Sequence, residues 1–69
     1  DVSLIELDVK NEWIGKTLIE LSLRKKYSIN VVALHTSKGI TIDIDPTMKL
    51  DKSMKLVVVA NKHKLGKLK

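Results

Sequence analysis

The chain has 69 residues, of which 43% are hydrophobic and 30% are charged, a composition typical of one small globular domain and not of a disordered segment. The absence of cysteine excludes disulfides and thiolate metal sites, and no apolar run approaches the ~20 residues that span a bilayer. The net charge of +5 is concentrated in residues 49–69, which indicates either an anionic partner or a solvated lysine-rich surface.

The first predicted element is a strand. It covers residues 2–9, in which Ile5, Leu7 and Val9 share one face and Glu6 and Asp8 lie opposite. A polar turn follows the strand. Trp13, which comes directly after that turn, is expected to cover the core or to contact a second copy of the chain.

A helix is predicted from Gly15 to about Arg24, because apolar residues recur there at helical spacing. Thr17 has a glutamate three residues later, which is the spacing of a capping box, although the helix could equally start at Gly15. The basic triplet 24–26 is expected in the last turn, where cations oppose the negative end of the helix dipole.

Two further strands are predicted to form a hairpin. Residues 30–35 carry apolar side chains on both faces, as a central strand requires. Residues 37–39 form a turn signal. Residues 40–45 alternate isoleucine with threonine or aspartate, which predicts a strand with the isoleucines on one face.

The last predicted strand follows a polar connection. Pro46 ends the preceding ladder because it has no N–H to donate, and residues 47–54 lead away from it. The short apolar run 55–60 predicts another central strand. Asn61 can then cap a short final helix from His63 to Leu68.

These elements predict an α+β domain of order β-α-β-β-β-α with a four-stranded mixed sheet. The first helix can serve as a right-handed crossover between two parallel strands. One helix covers only one face of a sheet, yet apolar residues are predicted on both faces. The second face therefore needs another chain or a ligand, and we expect a homodimer.

Catalytic patterns are missing from the sequence, which contains no nucleophile elbow, glycine-rich phosphate loop or paired-histidine motif. We therefore expect a protein that is not an enzyme. Asp43 and Asp45 alone supply too few oxygen ligands for a divalent cation, so no metal site is expected. His35 could contact a ligand or be an ordinary surface histidine. The two aromatic residues are too few for nucleic-acid stacking platforms, so no nucleic acid is expected as a partner.

The sequence resembles a known family in several ordered stretches. Residues 15–21, GKTLIEL, resemble the GKTLxEL helix of the TrkA C-terminal family, also called RCK_C. Residues 23–34, LRKKYSINVVAL, resemble its LRxKYGVNVVAI stretch. Pro46 matches the proline after the hairpin of that family, and residues 55–60 match its last strand. The resemblance covers almost the whole chain, so residues 1–69 are expected to be one such domain, cut from a longer protein.

The resemblance implies a dimeric α+β regulatory domain at the cytoplasmic end of a membrane-embedded potassium transporter or channel subunit. Some members of the family bind cyclic di-AMP at the dimer interface, and such a small nucleotide would control gating here. No other cofactor is expected. The alternatives are a structural dimerisation module without a ligand, a regulatory domain of another cation or anion transporter, and a binder of nucleic acid or anionic membranes.

By position in the family, the ligand is expected at the hairpin of the second and third strands. The apolar members of the site would contact adenine, the polar and cationic members would contact phosphate, and Asp43 would accept from an adenine amine. His35 and Thr36 stand where many relatives have a Lys–Arg pair. The expected contacts are Val32, Leu34, His35, Thr36, Lys38, Ile40, Thr41, Ile42 and Asp43.

Overall fold

The structure is a computed structural model that describes residues 2–61 and 63. The described residues contain four strands, two short α-helices and one 3₁₀ turn. In chain order, these are β1 (Val2–Asp8), the 3₁₀ turn Asn11–Trp13, α1 (Leu18–Leu21), α2 (Leu23–Tyr27), β2 (Ile29–Thr36), β3 (Gly39–Thr41) and β4 (Lys55–Asn61). The predicted final helix lies outside the described residues, except for His63, whose N–H donates to Asn61 Oδ1 at 2.9 Å.

The four strands form one sheet in the order β1-β4-β2-β3, and every neighbouring pair is antiparallel. The predicted α+β class and strand count are confirmed, but the sheet is antiparallel and not mixed. The reason lies in the position of β4. β1 and β2 do run in the same direction, as expected for strands joined by a helical crossover, but β4 lies between them and pairs antiparallel with both.

The core lies on one face of the sheet. Leu56, Val58 and Ala60 alternate along β4 and are almost fully buried there, and their partners in register on β1 and β2 share that face. Trp13 is buried against this cluster, as expected for a residue that covers the core. Each described helix is too short to cross a membrane.

The predicted helix is broken in two. Its start is a capping box, as the spacing predicted: Glu20 N–H donates to Thr17 Oγ1 at 3.2 Å, and Thr17 N–H donates to Glu20 Oε1 at 3.0 Å. Ser22 then adopts a left-handed conformation with φ 47°. Leu21 and Leu23 are both buried, although residues two apart face different sides of a continuous helix. The break at Ser22 lets both leucines enter the core.

β3 is shorter than predicted, because it ends at Thr41 and not at Asp45. Thr41 Oγ1 accepts the N–H of Asp43 at 3.0 Å, and Ile44 N–H donates to Ile42 O at 3.0 Å. These bonds turn the chain out of the ladder before Pro46 is reached. The isoleucines therefore do not share a strand face: Ile42 is 80% exposed, whereas Ile44 packs against the core.

The connection between β3 and β4 is not simply polar, because Leu50 lies in the core. Leu50 N–H donates to Lys16 O, and Gly15 N–H donates to Leu50 O, both at 2.8 Å. These two bonds tie the connection to the segment that enters α1. The chain before α1 is therefore held by residues more than thirty positions away in sequence.

Candidate ligand-binding site

The face of the sheet opposite the core, which we call the outer face, is largely exposed. By register it carries Val2 and Leu4 on β1 and Ile40 on β3, which are all 64–69% exposed. The exposed side chains agree with the predicted excess of apolar residues. The other outer-face residues are Glu6, Asp8, Asn30, Ala33, His35, Lys55, Val57, Val59 and Asn61.

Charged side chains at one end of the outer face are already paired with one another. His35 Nδ1 lies 3.0 Å from Glu6 Oε2, across the width of β4. Lys55 Nζ lies 3.8 Å from Glu6 Oε1 and 3.8 Å from Asp8 Oδ1. Because these side chains are 40–87% exposed, the pairs contribute little stability. The His35 side chain is therefore already in contact with the carboxylate of Glu6.

The predicted hairpin site is only partly assembled. Leu34 is 1% exposed and packs in the core, so its predicted contact with adenine is wrong. Thr36 bonds within its own turn, since its hydroxyl donates to Gly39 O at 3.3 Å and accepts from Lys38 N–H at 3.1 Å. Thr41 is engaged by the N–H of Asp43. The predicted residues that remain exposed are Val32, Lys38, Ile40, Ile42 and Asp43.

A shallow cavity of about 130 Å³ touches the hairpin. Of the predicted ligand-binding residues, only His35 and Thr36 line this cavity. Pockets for small organic ligands usually measure about 300–1,000 Å³, so this cavity is small for a nucleotide. Its lining is His35, Thr36, Ser37, Ser53 and Lys55.

A larger cavity of about 400 Å³ lies between the two helices and the first half of β2. We call it the helix–strand groove. Its volume falls within the range of small-molecule sites. It is lined by Leu18, Ile19, Ser22, Leu23, Arg24, Lys25, Ile29, Asn30 and Val31.

The chemistry of the helix–strand groove suits an aromatic ring that carries a phosphate. Ile29 and Leu23 are buried at the groove, while Ile19 is 60% exposed beside them. Arg24 and Lys25 contribute exposed cations, and a guanidinium can bond two phosphate oxygens at once. Asn30 also borders the groove.

Two local irregularities shape this groove. The left-handed Ser22 ends α1 and lies in the lining. In β2, Val31 pairs with Val58 and Ala33 with Val57, so Val32 is an extra residue in a β-bulge. Sequence reasoning missed the groove because it assigned Arg24 and Lys25 to helix termination alone. The signal was present in residues 23–34, the longest stretch that resembles the family.

The arrangement offers binding groups but no metal centre: within residues 2–61 and 63, no three histidine, aspartate or glutamate side chains are grouped to hold a metal ion. The cations of the groove and its apolar floor can instead hold an organic anion.

Solved structures with the same fold include two complexes with a cyclic dinucleotide. The RCK C domain of the potassium transport protein KtrA, in complex with cyclic diadenosine monophosphate (c-di-AMP), superposes with a TM-score of 0.88 at 25% identity, covering 99% of this chain and 80% of that one. The RCK_C domain dimer of S. agalactiae BusR in complex with c-di-AMP gives a TM-score of 0.79 at 16% identity, covering 97% of this chain and 85% of that one.

The GsuK RCK domain gives a TM-score of 0.80 at 19% identity and covers 97% of this chain. This chain spans only 15% of the GsuK chain. The BusR and GsuK likenesses, at under 25% identity, show the fold alone. No curated protein matches the chain by sequence. The family model described as the TrkA-C domain matches residues 2–69, and the chain therefore belongs to the TrkA-C family.

Proposed function

We propose that this chain is a regulatory domain that forms a homodimer, binds c-di-AMP and thereby controls a potassium transport protein. Its membership of the TrkA-C family and its likeness to the KtrA domain in complex with c-di-AMP support this role. The same findings favour binding over catalysis. We place the domain on the cytoplasmic side, attached to a membrane-embedded transporter or channel subunit.

The helix–strand groove is the observation that carries the proposal. c-di-AMP has two adenines and two phosphates, so it needs apolar surface for the rings and cations for the phosphates. One groove supplies one set of these groups, with Ile19 and Val31 for an adenine and Arg24 for a phosphate. Two copies of the groove would supply both sets, which agrees with a homodimer.

The hairpin remains the second candidate place for the ligand. Its exposed apolar residues could contact adenine, and Lys38 could contact a phosphate. The smaller cavity beside it supports this place less well than the groove. The hairpin contacts in this second proposal are Val32, His35, Thr36, Lys38, Ile40, Thr41, Ile42 and Asp43.

Isothermal titration with c-di-AMP tests the function and separates the two places. Arg24→Gln should weaken binding about tenfold or more, because a hydrogen bond to a charged group contributes about 1.5–3 kcal/mol. Lys38→Gln removes the same charge at the hairpin and serves as the matched control, with an expected change below about threefold.

A larger loss for Lys38→Gln than for Arg24→Gln would move the ligand to the hairpin. If the wild-type chain binds no c-di-AMP at millimolar concentrations, the nucleotide role is wrong. A structural dimerisation module, or a domain of another transporter, would then be the better account.

A further inference from the structure

A further cavity of about 130 Å³ lies where the 3₁₀ turn meets α2, and we call it the Trp13 pocket. It shares only Leu23 with the helix–strand groove. Arg24 and Lys25 line the groove, whereas Lys26 and Tyr27 line the Trp13 pocket, so the two cavities border different parts of α2. The polar side chains that line the Trp13 pocket are Glu12, Trp13, Lys16, Lys26 and Tyr27.

Backbone hydrogen bonds fix one wall of the Trp13 pocket. Trp13 N–H donates to Lys10 O at 2.8 Å, and Lys16 N–H donates to Trp13 O at 3.0 Å. Leu50 N–H donates to Lys16 O at 2.8 Å, which joins this wall to the connection before β4. The backbone that carries Trp13 and Lys16 is therefore held in place before any ligand binds.

Cations outnumber anions around the pocket. Lys16 and Lys26 are both exposed, and both line it. Glu12 is the one carboxylate among the described lining residues, and Lys10 Nζ lies 3.6 Å from its Oε1. The same ammonium group lies 5.8 Å from the centre of the Trp13 ring. Because three ammonium groups accompany one carboxylate, the local charge favours an anionic ligand.

Two uncharged donors line the same pocket. Trp13 is only 6% exposed, and its indole N–H has no hydrogen-bond partner among the described residues. The Tyr27 hydroxyl also bonds to none of them. No buried side-chain nitrogen or oxygen of residues 2–61 and 63 lacks a partner, so both of these groups must be open to solvent. A bound anion would therefore find two donors besides the lysines.

We propose that the Trp13 pocket binds a phosphate group, either as the free ion or as part of a small phosphate ester. A water molecule takes up about 30 Å³ in the liquid, so the cavity has room for about four oxygen-sized groups. That room suits a tetrahedral anion and is too small for a dinucleotide. Two lysines also match the charge of a phosphate, close to −2 at neutral pH, better than the single charge of a carboxylate.

This inference goes beyond the proposed function, because it concerns a separate cavity and a different ligand. Trp13 gives it a direct readout, since it is the only tryptophan in the chain. Inorganic phosphate is added at constant ionic strength while the single indole N–H peak is followed in ¹H–¹⁵N spectra. The peak should move and saturate, with half of the shift at about 1 mM, as a few charge-assisted hydrogen bonds allow. Chloride at the same ionic strength is the reference.

Two matched double variants test the location of the phosphate. K16Q/K26Q removes two ammonium groups from the Trp13 pocket and should weaken phosphate binding about tenfold or more. R24Q/K25Q removes two cations from the helix–strand groove and should change the binding by less than about threefold. All four side chains are exposed, so both variants should fold. The circular dichroism spectrum of each variant checks this.

No saturable movement of the indole peak at tens of millimolar phosphate would overturn the proposal. An equal or larger loss in R24Q/K25Q would also overturn it, because the phosphate would then lie in the groove. Tighter binding of acetate than of phosphate would replace the phosphate with a carboxylate and overturn the assignment. Glycerol phosphate separates the two sources: binding as tight as that of inorganic phosphate supports an ester, and weaker binding supports the free ion.

Discussion

The two halves of β2 lie on one strand but have different neighbours. Residues 29–32 have an open edge and border the helix–strand groove. Residues 34–36 pair with β3, and their side chains are used within the chain: Leu34 in the core, His35 with Glu6, and Thr36 in the turn. Both halves place a residue in the core, Ile29 in one and Leu34 in the other, but only the half without β3 also borders the helix–strand groove.

The largest expected effect is a loss of stability. It tests whether residues 34–36 of β2 stabilise the fold. Leu34→Ala should lower the free energy of unfolding by about 2–5 kcal/mol, because it removes a fully buried side chain from the core. Ile40→Ala removes an exposed apolar side chain from the facing strand and should change stability by less than about 0.5 kcal/mol. Urea denaturation measures both. A Leu34→Ala variant of normal stability that binds c-di-AMP poorly would restore Leu34 to the ligand site.

A smaller effect is expected from two threonines, one near each half of β2. Thr17 begins the helix beside the groove, and Thr36 lies in the half that pairs with β3. Thr17→Ala removes the cap of α1, the helix that forms one wall of the groove, and should destabilise the chain by about 1 kcal/mol. Thr36→Ala removes the hydroxyl that bonds within the hairpin turn. Hydrogen exchange should show faster exchange around residues 18–21 in the first variant and around residues 36–39 in the second. Equal changes at both places in either variant would mean that the two halves unfold together.

The smallest effect concerns the loss of stability at low pH. Asp45 accepts from the hydroxyl and N–H of Thr47 at 2.6 and 2.9 Å, and these bonds hold the pKa of its carboxyl below the ordinary 3.8. Ser53 lowers the pKa of Asp51 in the same way, first through its hydroxyl. A pKa lowered by folding contributes stability above pH 3.8 and loses it as the pH falls through the folded value.

The double variant D45N/D51N should therefore lose slightly less stability than the wild type between about pH 5 and about pH 2. The single variants D45N and D51N separate the contributions of the two turns, which lie beside different cavities. The turn of Asp45 leads through Pro46, whose carbonyl accepts the N–H of Ile19 at the groove, whereas the turn of Asp51 borders the hairpin cavity through Ser53. Thermal melts at each pH measure the difference. Identical acid profiles for the double variant and the wild type would show that neither turn contributes.

Sequence reasoning predicted the parts of the fold that depend on local pattern. Alternation located β1, a short apolar run located β4, and spacing located the capping box at Thr17. It could not predict the break at Ser22, because that break serves the burial of both Leu21 and Leu23 against distant strands. It could not predict that Leu50 enters the core, because the bonds that hold it come from the segment before α1.

The candidate site was less predictable than the fold for the same reason. The hairpin was expected to continue to Asp45, and a full-length partner strand would have left no open edge beside Asn30. The groove exists because β3 stops at Thr41 and because Ser22 interrupts the helix. Both features result from packing between segments that are remote in sequence, which periodicity does not report.

The central position of β4 has a consequence for how the domain is made. β1 and β2 do not pair with each other, and both pair with β4, the last of the four strands along the chain. During synthesis, β1 must therefore wait with its apolar face unpaired until residues 55–61 emerge. Until then the unpaired apolar surface is exposed to aggregation, and a truncation that removes β4 should yield a product that cells degrade.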